Sequence, residues 1–347
     1  MKYFIYIPGL VAIVITALPV IDTGTWWIRI FDFPRIQITV FALFILLLAF
    51  LFLKDKPKIK YSFISLLLAA ISYQLVMIAP FTPLLKVSAK SASLTEGDNQ
   101  FTLLMSNVRM ENTDRDKLLS LIRKKEPDLV LLTEPNLIWT KALIELDETY
   151  PHAIKEPLSN TYGMILLSKF PLINPKVNYL VENNIPSFHT QIKLPSGGIF
   201  DFYGVHPEPP KPGSDTYERD TELLLIGKKI KKDPKPVIVA GDLNDVGWSQ
   251  TSHLFREYSQ LVDPREGRGF YNTYNVFIPL MRYPLDHVFY SNDFGLVSFE
   301  KLEEIGSDHF PMWIDLTFEP DASDPEEVEN TDAEENAEVE EKIEKGK

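Results

Sequence analysis

The sequence contains no cysteine among its 347 residues. Disulfide bonds, thiol nucleophiles and cysteine-ligated zinc are therefore excluded. The absence suits an oxidising compartment but does not identify one. Residues that could carry chemistry have to be sought among the acids, the amides and the six histidines.

Basic charge is scarce beyond the first quarter of the chain. The net charge is −13, and residues 90–318 contain 24 Lys and Arg against 32 Asp and Glu. Residues 319–347 contain three basic and 13 acidic residues. Because neither segment is basic overall, the composition argues against a protein that coats nucleic acid, while leaving room for a small basic groove.

Long uncharged apolar runs are confined to the N-terminal part. Three of them, at Tyr3–Val20, 36–53 and 62–80, are close to the roughly 20 residues that span a bilayer. A signal peptide is the alternative for the first run, but no small-residue cleavage site is evident near residues 17–19 and two more runs follow. The pattern predicts a membrane anchor with three transmembrane helices over residues 1–83.

The loops between these runs predict an orientation. Residues 54–60 read KDKPKIK, with four lysines, and short lysine-rich loops stay in the cytoplasm. The first loop carries Trp26 and Trp27, which suits an interfacial aromatic belt. We therefore expect a multi-pass protein of the inner (cell) membrane, with the bilayer as partner and the rest of the chain on the extracytoplasmic side.

The rest of the chain divides by composition. Residues 84–100 are polar and indicate a linker. Residues 101–318 contain many strand-like apolar segments and amphipathic helices at 114–125 and Tyr217–Lys232, which is typical of a layered α+β domain. The predicted strands are 101–108, 128–133, 164–167, 199–205, 237–240, 285–290 and 312–318. Residues 319–347 are rich in Glu, Asp, Asn and Ala and predict a disordered acidic tail.

Polar residues fall at the ends of the predicted strands. Each alone has an ordinary explanation as a turn or a solvated strand end. Together they predict a site on one rim of a sheet, where strand ends meet. They are Asn107, Glu134, His206, Asp242, Asn244, Asp286, Asp308 and His309.

Two short motifs carry a resemblance. Gly241-Asp242-Leu243-Asn244, followed near the end by Ser307-Asp308-His309, resembles the endonuclease/exonuclease/phosphatase superfamily, which includes deoxyribonuclease I, abasic-site endonucleases and secreted sphingomyelinases. The resemblance covers residues 101–318, and the three preceding apolar runs are similar to a bacterial membrane-bound branch. It implies a four-layer α/β/β/α sandwich of the deoxyribonuclease I-like type.

The resemblance also implies a metal site. Glu134 matches the metal-binding glutamate of the family, Asp308 a second carboxylate near the metal, and Asn107 a residue that positions metal ligands and phosphate. The implied cofactor is Mg²⁺ or Mn²⁺, since a hard cation needs only one or two carboxylates besides water and phosphate oxygens.

The catalytic roles follow from the same resemblance. His309 matches the catalytic histidine and Asp286 the acid that orients it. Asp242 would hold or deprotonate the attacking water, and the choice of Asp242 or His309 as base stays open. Asn244 and His206 would contact the phosphate, with Asn107 and, where some nucleases have an acid, Arg109.

The function expected from these residues is hydrolysis of a phosphodiester or phosphomonoester outside the cytoplasm by metal-activated water. The substrate stays open among nucleic acid, phospholipid and small phosphoesters. One alternative is a nuclease, which would need a basic groove such as the lysines of 228–232. The other is a catalytically inactive binding or scaffold protein. His287 is expected to face the core on the side of its strand opposite Asp286.

Overall fold

The computed structural model describes residues 2–93, 97–320 and 333–347. The α-helices are α1 (Tyr3–Ala17), α2 (Trp26–Arg29), α3 (Arg35–Phe52), α4 (Pro57–Ile78), α5 (Arg115–Lys125), α6 (Leu137–Ala142), α7 (Tyr217–Lys232), α8 (Gln250–Ser259) and α9 (Ala333–Lys345). The strands are β1 (Gln100–Asn107), β2 (Leu129–Thr133), β3 (His152–Glu156), β4 (Met164–Ser168), β5 (Leu172–Asn178), β6 (Ser187–Lys193), β7 (Ile199–Val205), β8 (Val237–Asp242), β9 (Asp286–Tyr290), β10 (Phe294–Lys301) and β11 (Met312–Phe318).

Helices α1, α3 and α4 pack together at the N-terminal end. Three stretches are long and apolar enough to cross a membrane: Tyr3–Val20, Arg35–Phe52 and Pro57–Phe81. Small residues such as Ala12 and Ala42 lie at the helix contacts, where they let backbones approach. Large apolar side chains cover the outside of the bundle. A surface helix of a globular protein, in contrast, is apolar on one face and polar on the other.

The rest of the chain is built on two mixed sheets. One has the strand order β10-β11-β1-β2-β4-β3 and the other β5-β6-β7-β8-β9. Strand β2 shows why its sequence is apolar throughout. Leu129 and Leu131 face the core between the sheets, while Val130 and Leu132 face the layer formed by α5 and α6. A strand that is covered on both faces needs apolar residues at every position.

Helices α7 and α8 cover the outer face of the second sheet. The order of layers is therefore helix, sheet, sheet, helix, and the predicted four-layer α/β/β/α sandwich is confirmed, preceded by three long apolar helices.

Two parallel strand pairs bring four strand ends to one edge. Strands β1 and β2 run parallel with Asn107 opposite Thr133, and β7 and β8 run parallel with Val205 opposite Gly241. Gly241 has φ +150°, and an added Cβ would lie 1.8 Å from the carbonyl oxygen of Val205. Only glycine allows the two strands to approach this closely, so the glycine before Asp242 is required by the backbone.

The apolar bundle is joined to the sandwich by a mixed cluster. Ile78 at the end of α4 and Phe81 three residues after it pack with Val246, Trp248 and Leu285. The Trp248 indole Nε1 donates to the carbonyl oxygen of Asp32 at 2.7 Å. Val246 and Leu285 lie close in sequence to the predicted site residues Asn244 and Asp286, so the bundle contacts the segments that carry the site.

The segment expected to be a linker packs along the sandwich where it is described. Ser91 forms a bridge with Leu296, and Arg268 Nη2 donates to the carbonyl oxygen of Ala89 at 2.8 Å. Residues 94–96 lie outside the described part.

The expectation of a disordered tail is wrong for residues 333–345, which form α9. Val339 and Ile343 are buried against α7 and α8, and Thr221 Oγ1 donates to the carbonyl oxygen of Lys342 at 2.9 Å. Residues four apart share one helix face, so Val339 and Ile343 form an apolar contact surface on an otherwise acidic helix. Residues 321–332 of the expected tail lie outside the described residues.

Candidate active site

Asn107 lies at the centre of the polar residues on this rim. Its Nδ2 donates to Glu134 Oε1 and to Asp242 Oδ2, both at 2.9 Å, and its Oδ1 accepts from the backbone N–H of Arg109 at 2.9 Å. The side chain is almost fully buried. Because Glu134 follows β2 and Asp242 ends β8, this one amide connects carboxylates from the two sheets.

The backbone of Glu134 has a left-handed conformation, which is uncommon for a residue other than glycine. It has φ +65°, and its N–H donates to the carbonyl oxygen of Gly163 at 2.9 Å. The second oxygen, Oε2, accepts from the N–H of Met110 at 3.3 Å. Burial raises the pKa of this carboxyl, against the lowering effect of His206 and Asn107. Burial disfavours the ionised form of a carboxyl group, and a nearby cation favours it.

Asp286 and His309 form a buried pair. Asp286 Oδ2 accepts from His309 Nδ1 at 2.8 Å, and His309 Nε2 lies 3.6 Å from Asp242 Oδ2. Burial by itself lowers the pKa of His309, but the carboxylates of Asp286 and Asp242 outweigh it and raise the pKa to about 10. The Tyr274 ring lies 4.9 Å from the imidazole, centre to centre. The arrangement fixes the ring and directs Nε2 toward Asp242.

His206 is positioned by the backbone of β8. Its Nδ1 donates to the carbonyl oxygen of Asp242 at 3.1 Å, and its Nε2 lies 4.0 Å from Glu134 Oε1. Since a carbonyl only accepts, Nδ1 carries a proton, and Nε2 is the nitrogen that faces Glu134.

Asn244 shapes the turn after β8. It has φ +51°, a conformation that asparagine tolerates better than most residues. Its N–H donates to Asp242 Oδ1 at 3.0 Å, and its Nδ2 donates to the carbonyl oxygen of Pro207 at 2.9 Å. The second N–H of the side-chain amide makes no hydrogen bond to any described residue.

Asp308 and Arg109 lie farther out on the rim. Asp308 Oδ1 is 3.4 Å from Ser307 Oγ. Arg109 is partly exposed, with its Nε 3.7 Å from Glu111 Oε2 and its guanidinium 5.7 Å from the Phe277 ring centre. The structure thus brings Asn107, Glu134, His206, Asp242, Asn244, Asp286 and His309 together, and places Asp308 and Arg109 at their border.

Ser307 makes two hydrogen bonds in the site that its place in a motif did not indicate. Its buried Oγ donates to the carbonyl oxygen of Asn107 at 2.7 Å and accepts from the N–H of His309 at 3.1 Å. One hydroxyl therefore connects the end of β1 to the backbone of His309.

A buried ionic group behind the site was also missed. Arg219 Nη1 donates to the carbonyl oxygen of Asn244 at 3.0 Å, and Arg219 Nη2 lies 3.4 Å from Asp245 Oδ2. His287 is buried, as expected for the opposite face of β9. Its Nε2 lies 2.9 Å from the carbonyl oxygen of Asp245, and its Nδ1 accepts from Arg265 at 2.7 Å. In the sequence, the only indication of this buried ionic group is that Asp245 directly follows Asn244.

The oxygen-rich donors fit a hard divalent cation. Ligand atoms of Asp242, Asp286 and His309 lie within 4.8 Å of one another. Asp286 Oδ2 is already occupied by His309, whereas Asp286 Oδ1 is buried without a hydrogen-bond partner in the described part of the chain. Glu134 and Asp242, which share Asn107, offer a second carboxylate pair. The residues present could therefore hold the metal that the sequence predicts.

Comparisons with known proteins agree with this geometry. The model of the Endonuclease/Exonuclease/phosphatase family matches residues 106–309, a range that includes Asn107 and His309. No curated protein matches the chain significantly.

Solved structures show the same fold at low identity. The human Nocturnin catalytic domain with bound sulfate anion is 18% identical, with a TM-score of 0.53, and the match covers 64% of this chain and 96% of that chain. D. rerio TDP2 complexed with single strand DNA product is 18% identical, with a TM-score of 0.52 and coverage of 63% and 100%. The endonuclease/exonuclease/phosphatase from Bacteroides vulgatus is 19% identical, with a TM-score of 0.53 and coverage of 63% and 99%. Since the family match covers more than half of the 347 residues, the chain belongs to the endonuclease/exonuclease/phosphatase family.

Proposed function

We propose that this protein is a membrane-anchored phosphoesterase that uses a divalent cation, Mg²⁺ or Mn²⁺, to hydrolyse a phosphodiester or phosphomonoester on the extracytoplasmic side. The observation that carries the proposal is the bridge made by Asn107. It holds Glu134 and Asp242 together next to the Asp286–His309 pair. Adjacent carboxylates at a strand-end rim are suited to a cation and a phosphate, not to an apolar ligand.

Glu134, with Asn107 and Asp308, would hold the cation. When bound, the cation supplies Lewis-acid stabilisation of the charge on the phosphoryl oxygens. The raised pKa of Glu134, caused first by burial, supports this assignment, because a positive charge at this place restores the ionised carboxylate.

Asp242 is the residue that orients the attacking water and takes its proton. Its Oδ1 is held by the N–H of Asn244 and its Oδ2 by Asn107. His309, kept charged by Asp286, donates from Nε2 to a phosphoryl oxygen. His206 Nε2, the free amide N–H of Asn244 and the guanidinium of Arg109 complete the set of groups around the phosphate.

Part of the lysine run that the nuclease alternative would use is paired with α9. Lys228 is paired with Glu340 of α9, and Lys231 Nζ donates to Asn336 at 2.9 Å. The acidic helix thus occupies two of the four lysines that a nucleic acid would need. The presence of every predicted carboxylate and histidine argues against the inactive scaffold.

The test uses the full-length protein in detergent, because the bundle packs against the site segments. With bis-p-nitrophenyl phosphate, turnover should require Mg²⁺ or Mn²⁺ and should stop with EDTA. His309→Ala should lower the rate by about 10²–10⁴-fold, the usual contribution of a positioned acid–base group. His253→Ala, at an exposed histidine of α8, is the matched control. Turnover that survives EDTA would contradict the metal assignment, and a near-normal rate for His309→Ala would contradict the catalytic one.

A further inference from the structure

One loop beside the site exposes large apolar side chains. Within residues 276–281, here called the apolar loop, Phe277 is 55% exposed, Ile278 51%, Leu280 83% and Met281 46%. Four such side chains in five positions are unusual for a surface in water. A contiguous exposed patch of this kind marks an interaction site.

The apolar loop lies next to the start of an apolar span. Gln37 Nε2 donates to the carbonyl oxygen of Leu280 at 2.9 Å. Gln37 is in the first turn of α3, the candidate span Arg35–Phe52. The ring of Phe33, just before α3, packs edge-on to Tyr283 at 5.7 Å. The tip of the loop is therefore level with the point at which α3 enters its apolar stretch.

Other segments at this end of the bundle are apolar and exposed as well. Trp27 and Ile30 of the first loop, and Leu84 and Leu85 after α4, have large exposed fractions. Tryptophan is favoured where a bilayer meets water. The apolar loop is thus one part of a belt around the bundle, and the belt would be continuous with the membrane-spanning surface.

The other side of the apolar loop contacts the site. The N–H of Val276 donates to the carbonyl oxygen of Asp308 at 2.8 Å. Arg109, on the rim, stacks over Phe277, and the Tyr274 ring before the loop packs on His309. The same short segment therefore connects the catalytic residues with the apolar belt.

Cationic side chains surround the base of the loop. Arg282 donates from Nη2 to the carbonyl oxygen of Val276 at 3.0 Å, and Lys301 lies over the Phe310 ring at 4.6 Å. Arg109 adds a third cation, next to Glu111. Basic residues flanking an apolar tip suit a bilayer surface with anionic headgroups.

We propose that the apolar loop inserts into the interface of the bilayer spanned by the bundle, and that the site takes its phosphoester from a lipid headgroup lying beside the loop. This inference rests on the proposed membrane-anchored phosphoesterase. The occupant is the bilayer because the loop is held by Gln37 at the level of the span, where lipid is always adjacent.

The first test exploits the lack of cysteine, which makes any introduced cysteine unique. Full-length Leu280→Cys, labelled with a polarity-sensitive fluorophore in vesicles of phosphatidylethanolamine and phosphatidylglycerol, should be quenched by nitroxide on lipid chains. It should resist iodide roughly fivefold better than the water-facing control, as expected for an interfacial segment. Labelled Phe44→Cys, on the outer face of α3, is the lipid reference. Labelled Ile199→Cys is the water reference. Ile199 is the first residue of β7, and His206 follows the other end of this strand.

Any other result of the labelling experiment contradicts insertion of the apolar loop into the bilayer. A Leu280→Cys label that iodide reaches as readily as the Ile199→Cys label lies in water. A label protected from both iodide and lipid nitroxide lies against protein, such as a second copy of the chain. Neither readout depends on catalysis, so failure of the phosphoesterase proposal would leave this result interpretable.

The second test separates lipid from soluble substrates. Leu280→Asp should lower release of phosphorylated headgroup or phosphate from the vesicles by about tenfold or more, while hydrolysis of bis-p-nitrophenyl phosphate stays within about twofold, because a charge opposes insertion but not the chemistry. Ile199→Asp should change neither rate. Equal loss on both substrates, or an unmodified protein that cleaves a DNA oligonucleotide but no vesicle lipid, overturns the lipid-headgroup assignment. An unmodified protein that cleaves nothing overturns the proposed function instead.

Discussion

At the scale of single residues, substitution of Asp286 is the most direct test of its pairing with His309. One of its oxygens accepts from His309 Nδ1, and the other is buried and unpartnered among the described residues. Asp286→Asn keeps the size but removes the carboxylate charge that raises the pKa of His309, so the imidazole loses the positive charge with which its Nε2 would donate to the phosphoryl oxygen. We expect kcat to fall by about 10²–10⁴-fold with the fold retained.

The measurement for Asp286→Asn is a rate profile against pH, together with circular dichroism. A positioning role changes the profile, because the carboxylate of Asp286 raises the pKa of His309, whereas a purely structural role does not. Asp315→Asn, at a half-buried carboxylate bonded to Gln100, is the control. A variant that keeps both the rate and the profile would refute the pairing.

Motif residues could be predicted from the sequence, but their contacts could not. Asp242 and His309 stand in recognisable strings. Nothing in the strings shows that Asn107 donates to two carboxylates or that Ser307 connects Asn107 to His309. Such contacts depend on how strand ends from two sheets meet, which is a tertiary property.

At the scale of elements, α7 contains a carboxyl with a testable effect on stability. Glu222 is fully buried, and burial, followed by the charge of Glu182, raises its pKa from 4.5 to about 8. The folded protein therefore keeps Glu222 protonated at a pH where the unfolded chain has lost the proton. From this group, stability is greatest below pH 4.5 and falls as pH rises toward 8, by about 1.4 kcal/mol per pH unit.

Glu222→Gln should remove this decline and raise the unfolding midpoint at pH 8, since the amide stays neutral. Thermal unfolding between pH 5 and pH 8 measures the effect, with Glu218→Gln one turn earlier on α7 as the control. If both variants follow the pH dependence of the unmodified protein, Glu222 is not the source of it.

The strands that the sequence predicted are those that are buried along most of their length. Strands β1, β2, β4, β7, β8, β9 and β11 all contain apolar runs that indicate a strand. The sequence did not indicate β3, β5, β6 or β10. Three of these lie at sheet edges, and β5 is largely exposed and contains Pro175. An edge strand buries little surface, so its sequence has a weak pattern.

At the scale of the whole molecule, the bundle and the sandwich share a core. Trp248 is buried between Phe81 of the bundle and Phe270 of the sandwich, and bonds to Asp32. Trp248→Ala should destabilise the full-length protein by about 3–5 kcal/mol, the usual cost of removing a buried tryptophan. Thermal unfolding in detergent measures this loss.

Trp27→Ala, at an exposed tryptophan of the bundle, is the matched control and should leave the midpoint nearly unchanged. A fragment of residues 84–347 should unfold at a lower temperature than the full chain, because Trp248 and its neighbours lose their partners. Equal midpoints for the fragment and the full chain would mean that the shared core contributes nothing to stability.

The orientation of the chain is a separate prediction. Four lysines in residues 54–60 favour the cytoplasm for this loop. Alkaline phosphatase fused after Pro83 should therefore be active, and the same reporter fused after Lys56 should be inactive. The reverse pattern would place the catalytic residues in the cytoplasm and exclude an extracytoplasmic substrate.

Helix α9 also has a consequence for biogenesis. Lys342 of α9 forms an ion pair with Asp22, in the loop after α1. Lys342 is synthesised 320 residues after Asp22. Contacts between such distant positions form late. The part of α7 that α9 covers therefore stays exposed until residues 333–345 have been synthesised.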